Sequence, residues 1–96
     1  MNSILQTEKR CIECGATYNL NLHHCLYGSA NRKLSDKYGL TVWLCIKHHT
    51  GQEGVHHGNK ELDLKLKRYA QKTAEQYYGW TTDEFIKIFG KNYKED

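Results

Sequence analysis

The chain has 96 residues, of which 39% are apolar and 11% aromatic, so it has room for one domain with a modest core. A membrane-spanning helix needs about 20 consecutive apolar residues, and no apolar run approaches that length. The formal net charge of +3 permits an anionic partner without requiring one. Proline is absent and only 8 residues are glycine, which excludes a fibrous or low-complexity chain.

The N-terminal half predicts a β-hairpin. Residues 1–10 are polar, carry no secretory signal segment and are expected to be frayed, in a cytoplasmic protein. Side chains alternate between two faces over 18–24, which is the period of a strand. Residues 26–39 contain two glycines and several turn-forming residues, and they predict a loop. The β-branched and aromatic run 40–46 predicts a second strand that pairs with the first, followed by a loop or short helix.

The C-terminal half predicts two helices, which gives an α+β fold class. Apolar residues recur every three or four positions after Asn59, which is a suitable N-cap, and the pattern ends at Gly79. A shorter helix is predicted over 82–89, with Thr81 and Glu84 as its capping box.

Two short cysteine and histidine motifs predict a structural zinc site. Cys11-x-x-Cys14 and Cys45-x-x-His48 each allow two side chains to face one ion, and Zn²⁺ takes four such ligands in a tetrahedron. The alternative is a pair of disulfides, which the expected reducing compartment disfavours. Cys25 is left over and is predicted to be a buried free cysteine.

The chain has four cysteines and six histidines, and they are unevenly distributed. All ten lie within residues 11–57, and the last 39 residues contain none. Apart from the zinc ligand, the histidines are His23, His24, His49, His56 and His57. Doublets that bracket a zinc site predict a second metal or catalytic centre, whereas the alternative is that some are surface histidines. Because neighbours on a strand point to opposite faces, His23 and His24 are expected to have different roles.

The segments Leu22-His23-His24-Cys25-Leu26 and Trp43-Leu44-Cys45-x-x-His48-His49 resemble the HNH endonucleases of the ββα-metal (His-Me finger) type. The similarity is closest to small zinc-knuckle members found in phage genomes. It implies a ββα-metal hairpin-helix core with a structural zinc and C-terminal helices. It also implies metal-dependent hydrolysis of DNA to 5′-phosphate and 3′-hydroxyl ends. The chain would then be one nuclease domain over 1–96, with a flexible segment 1–10, the zinc knuckle and nuclease motif at 11–57, and a helical part at 59–90.

The resemblance also implies a role for individual residues. His24, the second histidine of the doublet, matches the general base that activates water. His23 and His49 match ligands of the catalytic ion, which would be Mg²⁺, Mn²⁺ or Zn²⁺. His56 is the expected third ligand and His57 the alternative. The structural zinc set of the family is matched by Cys11, Cys14, Cys45 and His48.

The expected partner is double-stranded DNA in the cytoplasm of a bacterial host cell, with no membrane partner. Arg32, Lys33 and Lys37 lie between the predicted strands and are expected to contact phosphates, although solvated loop charges are an equal alternative. A homodimer formed through the C-terminal helices is compatible with the sequence. The competing functions are a non-catalytic zinc module that recognises nucleic acid or protein, and a small interaction protein that reuses the nuclease scaffold. A binding module has no need of the histidines beyond the zinc site.

Overall fold

Two antiparallel strands form the one sheet found among residues 2–94, which are the residues described by the computed structural model. Strand β1 is Leu20–His24 and strand β2 is Thr41–Cys45. The register pairs the first residue of β1 with the last residue of β2, and His24 lies opposite Thr41. The predicted hairpin is therefore confirmed, with each strand slightly shorter than expected.

Within the described part of the chain, four α-helices and one 3₁₀ turn complete the α+β structure, so the expected fold class is confirmed at this level. The helices are α1 (Ser29–Tyr38), α2 (Ile46–His49), α3 (Lys60–Tyr78) and α4 (Thr82–Phe89), and the 3₁₀ turn is Val55–His57. The predicted caps are present. The Asn59 side chain accepts a hydrogen bond from the Leu62 N–H, and Thr81 with Glu84 forms the capping box of α4. No helix within residues 2–94 is long and apolar enough to cross a bilayer.

The prediction of a loop over 26–39 is wrong, because most of this segment is helix α1. Leu34 and Tyr38 lie one helical turn apart and pack against the core. Ser35 is fully buried, and its hydroxyl donates to the Leu26 carbonyl (2.5 Å) and accepts from the Leu26 N–H (3.1 Å). These contacts hold α1 against the residues that follow β1.

The N-terminal segment was expected to be frayed but is docked against β2 over residues 3–6. Leu5 is buried in the core with 5% of its surface exposed. Three hydrogen bonds join the segment to Gly39 and β2: Ile4 N–H to the Gly39 carbonyl, the Ser3 hydroxyl to the Thr41 carbonyl, and Trp43 N–H to the Gln6 side-chain oxygen. Met1, which belongs to the same predicted segment, lies outside the described residues.

One apolar cluster connects the hairpin with the helices. Helix α3 packs against α4 and against the 3₁₀ turn, while α1 contacts both β1 and α4. The buried members of the apolar cluster include Leu26, Leu40, Val42, Leu44, Leu62, Leu66, Ala70, Ala74, Phe85 and Phe89. The C-terminal helices therefore share one core with the hairpin and contact the 3₁₀ turn and α1 directly.

Leu5→Ala tests the docking of the N-terminal segment. Removing a buried leucine side chain is expected to lower the free energy of unfolding by about 2–4 kcal/mol, measured by urea denaturation. Thr7→Ala is the matched control, since Thr7 is exposed and should change stability by less than about 0.5 kcal/mol. Equal, small effects of both changes would mean that the segment does not pack on β2.

Candidate metal centres

Cys11, Cys14, Cys45 and His48 place their ligand atoms within 4.8 Å of one another. Two of the pair distances are 3.7 Å, between Cys14 Sγ and Cys45 Sγ, and 3.3 Å, between Cys45 Sγ and His48 Nδ1. Zinc–sulfur bonds of about 2.3 Å place tetrahedral sulfurs about 3.8 Å apart, so this spacing fits one ion. The four residues form a Cys₃His set that can bind a structural metal such as zinc.

The cysteines are not paired with one another, which excludes the disulfide alternative. A disulfide requires sulfurs about 2.05 Å apart, and all four cysteines are free thiols in the structure. Cys25 is fully buried, as predicted, and burial raises the pKa of its thiol well above the usual range. It lies outside the Cys₃His set.

Two elements of local structure bring the Cys₃His set together. The first pair sits on a tight turn in which Gly15 N–H donates to the Cys11 carbonyl, and Ile12 N–H donates to the Trp43 carbonyl of β2. The second pair straddles the end of β2, because Cys45 is its last residue and α2 starts at the next one. One turn of helix is then enough to return His48 to the cysteines.

The environment of Cys11 favours the ligating form of its sulfur. Burial raises the pKa of this thiol, but hydrogen bonds from the backbone of Cys45, Cys14 and Glu13 outweigh it and lower the pKa to about 6. Zinc binds the thiolate rather than the thiol. Backbone donors therefore prepare this position for a cation.

A second cluster is formed by His23, His49 and His56, whose ligating nitrogens also lie within 4.8 Å of one another. They come from the end of β1, the end of α2 and the 3₁₀ turn. The ring centroids are 5.3 Å apart for His23 with each partner and 4.9 Å apart for His49 and His56. The structure thus brings His56 to the cluster, whereas His57 is not part of it; both side chains are exposed.

His23 carries the feature that most clearly indicates a missing ligand. It is 1% exposed, and its Nε2 is the one buried side-chain nitrogen or oxygen within residues 2–94 that lacks a hydrogen-bond partner. Leaving such an atom unsatisfied costs about 1–3 kcal/mol. A cation bound by the three imidazoles would satisfy it, so the residues fit a metal ion on this ground.

Burial and charge favour the neutral form of two histidines of this cluster, His23 and His49. Burial, together with the positive charges of its neighbours His49, His56, His24 and Lys67, lowers the pKa of His23 to about 3. Burial and His56 also lower the pKa of His49. A neutral imidazole has the lone pair that a metal needs, so His23 and His49 are ready to bind a cation at neutral pH.

Several residues that the sequence analysis did not single out orient the histidine cluster. The Asn21 side-chain oxygen lies 3.2 Å from His49 Nδ1, which leaves His49 Nε2 free to ligate. The Tyr27 ring lies against His23 and His56, and its hydroxyl donates to Asp63 of α3 (3.0 Å). Helix α3 therefore braces the site, and no local sequence signal marks these contacts.

His24 follows His23 on the strand, so its side chain leaves from the opposite face, and it lines two cavities. The smaller, of about 210 Å³, is lined by His24, Leu22, Tyr27, Arg32 and the histidine cluster. The larger is a groove of about 650 Å³ that is also lined by His24, Leu22 and Arg32, together with Gly28, Ser29, Lys33 and Asp36. A group bound in the smaller cavity would contact both His24 and the cluster.

The three predicted phosphate contacts lie on α1 rather than on a loop, and they differ in position. Arg32 lines both cavities and Lys33 lines the groove. Lys37 lines neither, and its ammonium lies 5.3 Å from the centre of the Tyr38 ring.

Cys14→Ser tests the Cys₃His centre. Losing one thiolate is expected to release zinc and to lower the melting temperature by several degrees, because binding of a structural metal contributes to folding. Zinc content and thermal unfolding are measured side by side. Cys25→Ala is the control, since it removes a buried cysteine outside the set and should leave zinc content unchanged. An unchanged zinc content in Cys14→Ser would contradict the assignment.

Comparisons with protein-family models, with curated proteins and with solved structures find no match to this chain. The nuclease family that the sequence resembles therefore remains a proposal. What the chain does has to be argued from the two clusters and the cavities beside them.

Proposed function

We propose that the chain is a metal-dependent endonuclease of the HNH, ββα-metal type that hydrolyses phosphodiester bonds of double-stranded DNA. The observation that carries the proposal is the buried, unpartnered Nε2 of His23. It lies in a cluster with His49 and His56, and His24 opens onto the same cavity. A site of this kind combines a place for a cation with an adjacent imidazole.

The order of the elements supports the proposal. In the resemblance described above, the base and one ligand come from the end of the first strand, and another ligand follows the second zinc motif. Here β1 ends with His23 and His24, and α2 ends with His49. On this reading the ββα-metal core consists of β1, β2 and α2, with α1 inserted between the strands.

The chemistry of phosphodiester hydrolysis matches the side chains around the smaller cavity. The reaction needs a base that takes a proton from water, and a neutral imidazole can do this near neutral pH. We assign that role to His24. When bound by His23, His49 and His56, a divalent ion such as Mg²⁺, Mn²⁺ or Zn²⁺ supplies positive charge to the phosphate and the departing 3′ oxygen.

Arg32 is suited to bind the phosphate of the substrate. It is the cationic side chain that lines both cavities, and no hydrogen bond or ion pair engages it among residues 2–94. Lys67, by contrast, forms an ion pair with Asp63 at 2.9 Å. A free guanidinium binds phosphate oxygens in a bidentate manner. Lys33 would extend the contact along the groove.

Plasmid cleavage tests the proposed activity and the role of His24. With Mg²⁺ or Mn²⁺ the purified protein is expected to nick or linearise plasmid DNA, and His24→Ala should lower the rate by about 10²–10⁴-fold. The folded state of the variant is checked by circular dichroism. His57→Ala is the control, since this neighbouring histidine is exposed and outside the cluster.

Two results would count against the proposal in different ways. If His24→Ala cleaves as fast as the parent, the base is another group. If the parent binds DNA but does not cleave it with any of the three ions, the chain is the non-catalytic zinc module instead.

Arg32→Ala tests the phosphate contact. DNA binding measured by fluorescence anisotropy in Ca²⁺ is expected to weaken several-fold, and the slope of log K against log salt concentration should fall by about 1. Lys37→Ala is the charge-matched control, because Lys37 lines neither cavity. Equal losses in the two variants would indicate a diffuse charge effect rather than a contact at Arg32.

A further inference from the structure

Helix α1 places a carboxylate beside the imidazole to which the proposed reaction assigns the role of base. His24 Nε2 lies 3.3 Å from Asp36 Oδ1. We propose that Asp36 is a positioning residue that accepts a hydrogen bond from His24 Nε2–H, so that Nδ1 is the atom that takes the proton from water. The inference rests on the proposed function and deepens it.

The direction of the hydrogen bond follows from the chemistry of the two groups. An ionised carboxylate can only accept, so the ring nitrogen that faces Asp36 carries the hydrogen. The other nitrogen of a neutral imidazole then has a lone pair. The proton-accepting atom is thereby assigned by the contact with α1.

The carboxylate is held in place by the backbone that carries it. Asp36 follows Ser35, whose buried hydroxyl bonds to both the N–H and the carbonyl of Leu26. On the preceding turn, Asn31 Nδ2 donates to the Phe89 carbonyl of α4 (3.1 Å). Since β1 and α1 are joined through Leu26, these side-chain to main-chain hydrogen bonds fix the backbone that carries Asp36 relative to the backbone that carries His24. Preorganisation of this kind is what orients a catalytic side chain.

A role in binding DNA does not account for Asp36. It is the one acidic residue among those that line the two cavities, and it lies in the groove beside Arg32 and Lys33. A negative charge there repels phosphate. A role in stability does not account for it either, because its side chain is 66% exposed and surface ion pairs contribute little.

The proposed step balances as follows. The water oxygen forms a bond to phosphorus, one water proton passes to His24 Nδ1, and the bond between phosphorus and the 3′ oxygen breaks. The departing oxygen takes up a proton from solvent, and the imidazolium later releases its proton to solvent. Asp36 stabilises the imidazolium in between and keeps the ring in one orientation.

Steady-state kinetics of DNA cleavage separate positioning from binding. Asp36→Ala is expected to lower kcat about 10-fold, the size of effect typical of partners that orient a functional histidine, while KM for DNA stays level or falls. Asp36→Glu keeps a carboxylate in an exposed position and should recover most of the lost kcat. Asp83→Ala is the control, because this exposed carboxylate of α4 lines neither cavity and should leave both constants unchanged.

The same kinetic measurements can contradict the assignment of Asp36 as a positioning residue. An unchanged kcat in Asp36→Ala, or a rise in KM as the main effect, would overturn it. A loss of kcat that Asp36→Glu does not restore would do the same.

A spectroscopic measurement decides the hydrogen bond without reference to activity. Nitrogen-15 NMR of the zinc-loaded protein, labelled at histidine, is expected to show His24 protonated at Nε2 and bare at Nδ1. A His24 ring protonated mainly at Nδ1 would overturn the proposal even if the protein cleaves DNA. If the parent shows no cleavage, the proposed function fails, while this spectrum still decides whether Asp36 sets the tautomer.

Discussion

The two candidate metal centres are joined by a single peptide bond, between His48 and His49. Successive side chains on a helix point about 100° apart, so neighbouring residues can face different sites. Helix α2 has only four residues, too few for its own hydrogen bonds to fix its direction. His48 joins α2 to the cysteines of the first cluster, and contacts with β1, β2 and the 3₁₀ turn hold the same helix from other sides. The position of His49 therefore depends partly on the first cluster.

Strand β1 shows how the fold accommodates the second cluster. The side of the strand that faces the core carries a histidine, His23, whereas Leu22 is 43% exposed. Burying an imidazole nitrogen without a partner is unfavourable, so the local arrangement is unusual for packing alone. It is understandable if the buried position serves a ligand. The opposite face then leaves His24 at the cavities, where substrate could reach it.

The parts of the structure that could be predicted are those fixed by local chemistry. The helix caps at Asn59 and at Thr81 with Glu84 involve residues three positions apart. The alternation of side chains between two faces before the histidine doublet indicates a strand directly. Helix α1 was missed because it is polar and bounded by glycines at 28 and 39. Only the spacing of Leu34 and Tyr38 marks its buried side. The N-terminal segment was missed because its order comes from β2.

For the candidate sites too, residues on one local turn could be predicted, whereas residues brought together by the tertiary structure could not. The spacing within each cysteine or histidine pair was enough to find the Cys₃His set, because the ligands lie on single turns. The choice between His56 and His57 depends on how the 3₁₀ turn is oriented, which neighbours in sequence cannot reveal. The pairing of His24 with Asp36 joins a strand to a helix that was not expected, so it could only be found in three dimensions.

Cobalt titration of the zinc-free protein tests the central claim most directly, because Co²⁺ reports its ligands in the absorption spectrum. The account predicts two separate binding steps. The first equivalent should give the thiolate charge-transfer bands and tetrahedral absorption of a Cys₃His site, and the second should bind without thiolate bands and be lost in His49→Ala. Saturation at one equivalent, with the same spectrum in His49→Ala, would contradict the existence of a second centre.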